Sequence, residues 1–151
     1  MSEQPPPPIP RFTVITLGVA DMRASIAFYE RLGFARKFRA TGEAVAFFDT
    51  GATAIGLFPW DELAKDATLP ANPRPQAFRG MTLAWNCNSA EEVDAVLQFA
   101  ISKGATLLKA AHNTDYGGYS GYFCDPDGHP WEIVVAPNIV VGDDRRVQLP
   151  G

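Results

Sequence analysis

The stretch Gly121-Tyr122-Phe123-Cys124-Asp125-Pro126-Asp127-Gly128-His129-Pro130-Trp131-Glu132 contains two apolar segments on either side of an Asp-Pro-Asp-Gly sequence. That sequence predicts a tight turn, because proline fixes φ, glycine accepts positive φ and aspartate bonds to nearby backbone. The flanking segments are rich in aromatic and β-branched residues. They predict strands over Tyr119 to Cys124 and Trp131 to Ala136.

The residues before this turn add a helix and two further strands. Met81 to Asn86 predicts one strand and Thr106 to Ala110 predicts another. Between them, Ser89 and Glu92 form a capping box, which marks a helix start. An apolar stripe at helical spacing follows, and Gly104 marks the helix end.

The first half of the chain has the same order of elements. Phe12 to Val19 predicts a strand, Asp21 is a favourable helix N-cap, and Gly33 ends the helix. Turn residues then separate three strand candidates, which are Phe34 to Arg39, Ala44 to Phe48 and Thr53 to Phe58. The spacing between matching positions of the two halves is nearly constant, as expected of an internal repeat.

This repeat predicts an α+β fold in which two βαβββ modules form a curved mixed β-sheet around a cleft, with one helix covering each module. An unrelated α+β domain is the alternative. The predicted organisation is a disordered proline-rich arm (1–11), the first module (12–59), a linker (60–79), the second module (80–137) and a C-terminal tail (138–151).

Composition limits the classes of function. The chain has 151 residues, of which 46% are hydrophobic and 20% charged, as in globular proteins. A net charge of −4 gives no basic surface for nucleic acid, and no apolar run is long enough to span a membrane. Only two cysteines occur, Cys87 and Cys124, and no secretory signal is recognisable. We therefore expect a cytoplasmic protein with reduced thiols.

Two motifs resemble the vicinal oxygen chelate superfamily, which includes glyoxalase I, bleomycin-resistance proteins, extradiol dioxygenases and methylmalonyl-CoA epimerase. The opening motif is Thr16-Leu17-Gly18-Val19-Ala20-Asp21 with Phe28-Tyr29 and Leu32-Gly33-Phe34, and residues 121–132 are similar to the closing motif. The resemblance covers residues 12–137. It implies the fold and a homodimer, whereas it does not fix the activity.

The resemblance also implies where a divalent metal would bind in metal-dependent members. The four ligand positions fall on Val14, Gly56, Met81 and Glu132. Only Glu132 carries a suitable ligand atom, and a divalent cation needs several. The expectation is therefore that this protein holds no metal and no other cofactor.

Strand alternation predicts which side chains line the cleft. Besides Glu132, they are Val14, Thr16, Gly56, Phe58, Met81, Leu83, Trp85 and Tyr122, with Tyr116 at the rim on a glycine-rich loop. Such a hollow suits a small apolar or aromatic molecule. The alternative is that these side chains fill the space and pack against each other.

Three functions follow. The first is metal-free binding of a small molecule, as in bleomycin-resistance proteins. The second is an enzyme (a lyase, an isomerase or a dioxygenase-like protein) that uses Glu132 as general base or acid, because desolvating a carboxylate in an apolar hollow is costly. The third is a dimeric module with a filled cup and no ligand. Alternatively, Glu132 only holds the sheets together by bonding to Tyr122, Thr16 or Asn86.

Overall fold

The computed structural model describes residues 4–72 and 77–151. Residues 1–3 of the predicted arm and 73–76 of the predicted linker lie outside the described residues. The helices are α1 (Met22–Arg31), α2 (Trp60–Asp66) and α3 (Ala90–Ser102). The strands are β1 (Val14–Val19), β2 (Ala35–Lys37), β3 (Ala46–Asp49), β4 (Ala54–Pro59), β5 (Leu83–Asn86), β6 (Thr106–Asn113), β7 (Tyr119–Cys124), β8 (Pro130–Val135), β9 (Val140–Val141) and β10 (Val147–Gln148).

The two halves of the chain build two four-stranded sheets of the same topology. Their strand orders are β1-β4-β3-β2 and β5-β8-β7-β6. In each sheet the first and last strands of the module pair in parallel, and the other pairs are antiparallel. The predicted α+β class with two βαβββ modules is confirmed. Within one chain the modules form two sheets, each open at both edges.

The helix boundaries follow the predicted capping residues. The Asp21 carboxylate accepts a hydrogen bond from the Ala24 amide at 3.0 Å, and the Ser89 hydroxyl accepts one from the Glu92 amide at 3.1 Å. Gly33 follows α1 with φ of 97°, a value that side chains with a Cβ adopt only at a cost. These local signals fix the helices in register with their sheets.

The core is shared between the modules, with α1 lying between the two sheets. The Tyr29 ring lies 5.9 Å from Phe48 of the first sheet and 6.1 Å from Trp131 of the second. Leu57 and Ile133, on the central strands β4 and β8, are fully buried in the same cluster. Each sheet therefore turns one face to this core, and the opposite face, here called the open face, points away from it.

Three elements differ from the sequence prediction. β6 continues to Asn113 instead of ending at Ala110, so that His112 lies in a strand and not in a loop. The predicted linker (60–79) begins with the seven-residue helix α2. The C-terminal tail forms a short β9–β10 hairpin that the sequence analysis did not identify. Within the part of the chain described here, no helix has the length and apolar character needed to cross a membrane.

Candidate functional site

The open face of the first sheet carries four of the predicted site residues. Val14 and Thr16 of β1 alternate with core residues, and Thr16 lies directly beside Gly56 of β4. A Cβ built on Gly56 would lie 3.1 Å from the Thr16 hydroxyl and 3.5 Å from a Val14 methyl group. Phe58 follows on the same face of β4. This surface is apolar apart from one hydroxyl, as the alternation predicts.

The open face of the second sheet carries Glu132 and Tyr122, which are direct neighbours on β8 and β7. Burial raises the pKa of Tyr122 above its usual value, and the negative charge of the neighbouring Glu132 carboxylate raises it further. Tyr116, in the loop before β7, is close enough to contribute to the same shift. Tyr122 therefore stays a neutral hydroxyl beside the carboxylate at ordinary pH.

The predicted orientation of Leu83 and Trp85 is wrong. Leu83 pairs with Trp131 and Trp85 with Ile133, so both lie on the core face of the sheet, opposite to Glu132. The prediction assigned Leu83 and Trp85 to the face of Met81 by strand alternation. Met81 precedes the strand, so it does not indicate the face of the strand residues. β5 instead presents Ala84 and Asn86 on the face of Glu132.

The predicted site residues consequently lie in three places. Val14, Thr16, Gly56 and Phe58 occupy one open face, and Tyr122 and Glu132, with Tyr116 nearby, occupy the other. Met81, Leu83 and Trp85 line a groove of about 1010 Å³ between the edge strands β1 and β5. Neither Val14, Gly56 nor Glu132 lines this groove. One chain thus provides two separate halves of the predicted cleft.

Two aromatic residues on the first open face were missed. Phe47 of β3 lies directly beside Gly56, and Phe38 stacks on Phe47 with ring centroids 6.4 Å apart. Phe38 is 67% exposed and has φ of 51°, which is costly for a residue with a Cβ. The sequence contains a signal for this position. Ala46 and Phe48 are core residues, so alternation along the strand places Phe47, which lies between them, on the open face.

A polar latch joins the modules through the turn that follows β7. The Tyr29 hydroxyl donates to a carboxylate oxygen of Asp125 at 2.7 Å and accepts from the Trp131 indole at 3.1 Å. Asp127 accepts from the Ser25 hydroxyl and from the Ala20 amide. Burial raises the pKa of Asp125 above its usual value. The sequence analysis identified this turn but not its contacts with α1, which only the tertiary fold brings together.

His129 extends this latch to the end of β1 and to the linker. Its Nε2 donates to the Gly18 carbonyl at 2.8 Å, and its Nδ1 accepts from the Arg79 guanidinium at 3.0 Å. The Trp60 ring stacks on the imidazole with centroids 6.2 Å apart. His129, at the end of the predicted turn, is therefore buried and hydrogen-bonded at both ring nitrogens.

The residues present do not fit a metal site. Of the four positions that the resemblance implies, Val14 and Gly56 offer no ligand atom and Met81 offers a thioether, which hard divalent ions do not favour. The β5 residues on the face of Glu132 are Ala84 and Asn86. Across residues 4–72 and 77–151, no group of three or more His, Cys, Asp and Glu side chains could hold a metal ion.

Comparison with known proteins places these features in a family. The family model of the Glyoxalase/Bleomycin resistance protein/Dioxygenase superfamily matches residues 11–133. Metallothiol transferase FosB of Lysinibacillus sphaericus (strain C3-41) is 28% identical over 119 residues, which are 79% of this chain and 77% of that protein.

Solved structures give the same result. A glyoxalase-related enzyme from Fulvimarina pelagi superposes with a TM-score of 0.82 and 32% identity, covering 95% of this chain and all of that one. A glyoxalase/bleomycin resistance protein/dioxygenase family enzyme from Burkholderia phytofirmans PsJN has a TM-score of 0.71 and 26% identity, covering 82% of this chain and 97% of that one.

Proposed function

Because the chain belongs to the Glyoxalase/Bleomycin resistance protein/Dioxygenase superfamily, we propose that it binds a small apolar or aromatic molecule without a metal ion. The observation that carries this proposal is the set of side chains at the ligand positions of metal-dependent members. Val14, Gly56 and Met81 leave Glu132 as the single suitable ligand. One carboxylate does not repay the dehydration of a divalent cation.

The character of the two open faces supports an aromatic ligand. Gly56 leaves a bare stretch of backbone between Thr16 and the Phe47 ring, which a flat molecule can contact closely. Val14 is 39% exposed, so this face is not filled by side chains of the same chain. An apolar surface with few polar groups is typical of small-molecule sites.

We propose that the complete site is assembled in a homodimer, with the first sheet of one copy facing the second sheet of its partner. The two halves lie on faces that point away from the shared core of one chain. The edge strands β1 and β5 leave backbone groups unpaired, which favours association at these edges. Phe12 and Met81, which line the groove between these strands, are 72% and 44% exposed, an apolar surface that a second copy would bury.

We also propose a cytoplasmic location, in keeping with two cysteines that form no disulfide. Burial raises the pKa of Cys87 to about 12, so this thiol is not a reactive nucleophile at neutral pH. Burial also raises the pKa of Cys124, so neither cysteine enters the proposed function.

The experiment is a thermal-shift titration with 1-naphthalenemethanol, a neutral aromatic probe, combined with metal analysis of protein purified without chelator. We expect a saturable rise in melting temperature, because a ligand that binds only the folded state stabilises it. Thr16→Trp, which fills the open face, should abolish the rise. Phe99→Trp, at an exposed position of α3, is the control and should retain it. A stoichiometric divalent metal, or no response of the wild-type protein, would contradict the proposal.

A further inference from the structure

We propose that the ligand is an aromatic cation, whose ammonium or comparable N–H group is received by Glu132 while its ring lies on the open face of the first sheet. This inference rests on the proposed function and names the chemical class of the ligand. It is carried by the neighbours of Glu132 in the second sheet and by the absence of basic residues on the central strands β3 and β4 of the first.

The neighbours of Glu132 leave its charge without a counter-ion. A row of side chains crosses the open face of the second sheet in the order Lys109, Tyr122, Glu132 and Ala84. Tyr122 offers a neutral hydroxyl beside the carboxylate, and Ala84 offers no polar group. The Glu132 side chain is half-buried on the open face, and none of these neighbours neutralises its charge. A cation that approaches from the open side supplies the missing charge.

Lys109 is the one basic residue in this row, and it lies beyond Tyr122 on the outer strand β6. Its side chain is exposed, and among the described residues no ion pair joins Lys109 to Glu132. Two register shifts in the pairing of β6 with β7 flank this residue, which pairs with Tyr122. Lys109 is thus a solvated surface residue.

The first sheet adds no basic side chain on its central strands β3 and β4, and Asp49 of β3 adds a carboxylate to the open face. β1 and β4 contribute Val14, Thr16, Gly56 and Phe58 to this face. Lys37 lies beside Phe47 on the outer strand β2, two strands away from Gly56. A ligand with an anionic group would meet Glu132 without a basic partner on the central strands, and its binding would be opposed by like-charge repulsion.

The test compares three ligands that share one ring system and differ in charge: 1-naphthylmethylamine, 1-naphthalenemethanol and 1-naphthoate. Calorimetric titration of the full chain at pH 7 should give a dissociation constant for the amine at least about tenfold lower than for the alcohol, the range of a charge-assisted hydrogen bond. The naphthoate should bind most weakly of the three.

The variant Glu132→Gln separates charge recognition from general binding. It should remove the preference for the amine and leave binding of the alcohol in place. A purely structural role of Glu132 would weaken all three probes together, and circular dichroism checks that the variant is folded. Lys109→Met is the matched control, in which the order of the three affinities should persist.

Each outcome is decisive. If the alcohol binds as tightly as the amine, or if the preference for the amine survives in Glu132→Gln, the inference is wrong and the proposed binding function stands. If the naphthoate binds best and Lys109→Met removes that preference, Lys109 is the charged recognition group and the inference is wrong. If none of the three probes binds, the proposed function fails as well.

Discussion

At the scale of single residues, Tyr29 is the side chain on which the contact between the modules depends most. Its ring is fully buried, and its hydroxyl both donates to Asp125 and accepts from Trp131. A buried donor or acceptor that loses its partner costs more than the hydrogen bond itself contributed, because the orphaned group remains desolvated. The sequence marks this tyrosine as an apolar position of a helix and gives no sign of the role of its hydroxyl.

Replacement of Tyr29 by Phe should lower the free energy of unfolding by about 1–3 kcal/mol, because Asp125 loses a donor and Trp131 an acceptor in the core. Urea denaturation at pH 7 measures this change. Tyr119→Phe is the control, since its hydroxyl bonds to Asp94 at the surface, and its effect should be much smaller. Equal effects of the two variants would contradict the assignment of Tyr29.

The same residue predicts a pH dependence at the alkaline end. Burial raises the pKa of Tyr29 well above 10, and the charge of Asp125 adds to the shift. Above pH 10 this tyrosine ionises in the unfolded chain, whereas it stays protonated in the folded protein. The free energy of unfolding therefore has its full value below pH 10 and falls at higher pH, by up to about 1.4 kcal/mol per pH unit. In Tyr29→Phe this contribution is absent. The free energies of unfolding of the two proteins, measured by denaturation between pH 9 and 11, should therefore converge as the pH rises. A constant difference between them would refute the prediction.

At the scale of elements, the sequence predicted the strands and helices because their signals are local. Caps and stop residues, such as Asp21 and Gly33, fix both ends of α1, and β7 runs from Tyr119 to Cys124 as predicted. The face of β5 was wrong because a strand keeps its alternation only within its hydrogen-bonded residues, and Met81 lies before them. Which residues of a strand share a face is a local property. The orientation of two sheets relative to each other depends on tertiary contacts, which the sequence pattern does not reveal.

The sequence did not predict the β9–β10 hairpin, for a related reason. Tertiary contacts, and not local signals, hold this hairpin to the second module. The Asn88 side chain donates to the Val141 carbonyl at 2.9 Å and accepts from the Val141 amide at 2.8 Å. A two-residue strand pair has little stability by itself. No local pattern in the tail signals that an asparagine so far away in the sequence will hold it.

Asn88→Ala should release this hairpin from the second module. We expect faster amide hydrogen exchange at Val141 and Val147, because opening of the hairpin no longer breaks two hydrogen bonds. Exchange in the buried strands β4 and β8 should not change. Asn113→Ala, at the exposed end of β6, serves as the matched control. Unchanged exchange in Asn88→Ala would show that the hairpin is stable without the Asn88 hydrogen bonds.

At the scale of the whole molecule, the two open faces of one chain explain a limit of the sequence. The sequence indicated candidate site residues, but it did not indicate how they are arranged in space. Val14 and Gly56 share a face, and so do Tyr122 and Glu132, as the sequence predicted. That these faces turn away from each other follows from α1 packing against both sheets. In the proposed homodimer each open face meets the opposite kind of face of the partner, which gives two equivalent clefts and a mass of twice 16.4 kDa in sedimentation.

Complementation between two blocked variants tests this assembly. Thr16→Trp fills the open face of the first sheet, and Ala84→Trp fills that of the second, next to Glu132. Neither variant alone should bind 1-naphthalenemethanol. After unfolding and refolding together, about a quarter of the cups should bind it, since half of the dimers are mixed and one cup in each is intact. A cleft formed within one chain would recover no binding in the mixture.

The latch between Asp125, Asp127, His129 and the first module also bears on how the chain is made. Its hydrogen bonds join residues that are 96 to 111 positions apart. While the chain is still emerging from the ribosome, Tyr29 and Ser25 have no carboxylate to bond until the turn at residues 125–129 has left the exit tunnel. Until then, the side of α1 that packs against the second module stays uncovered.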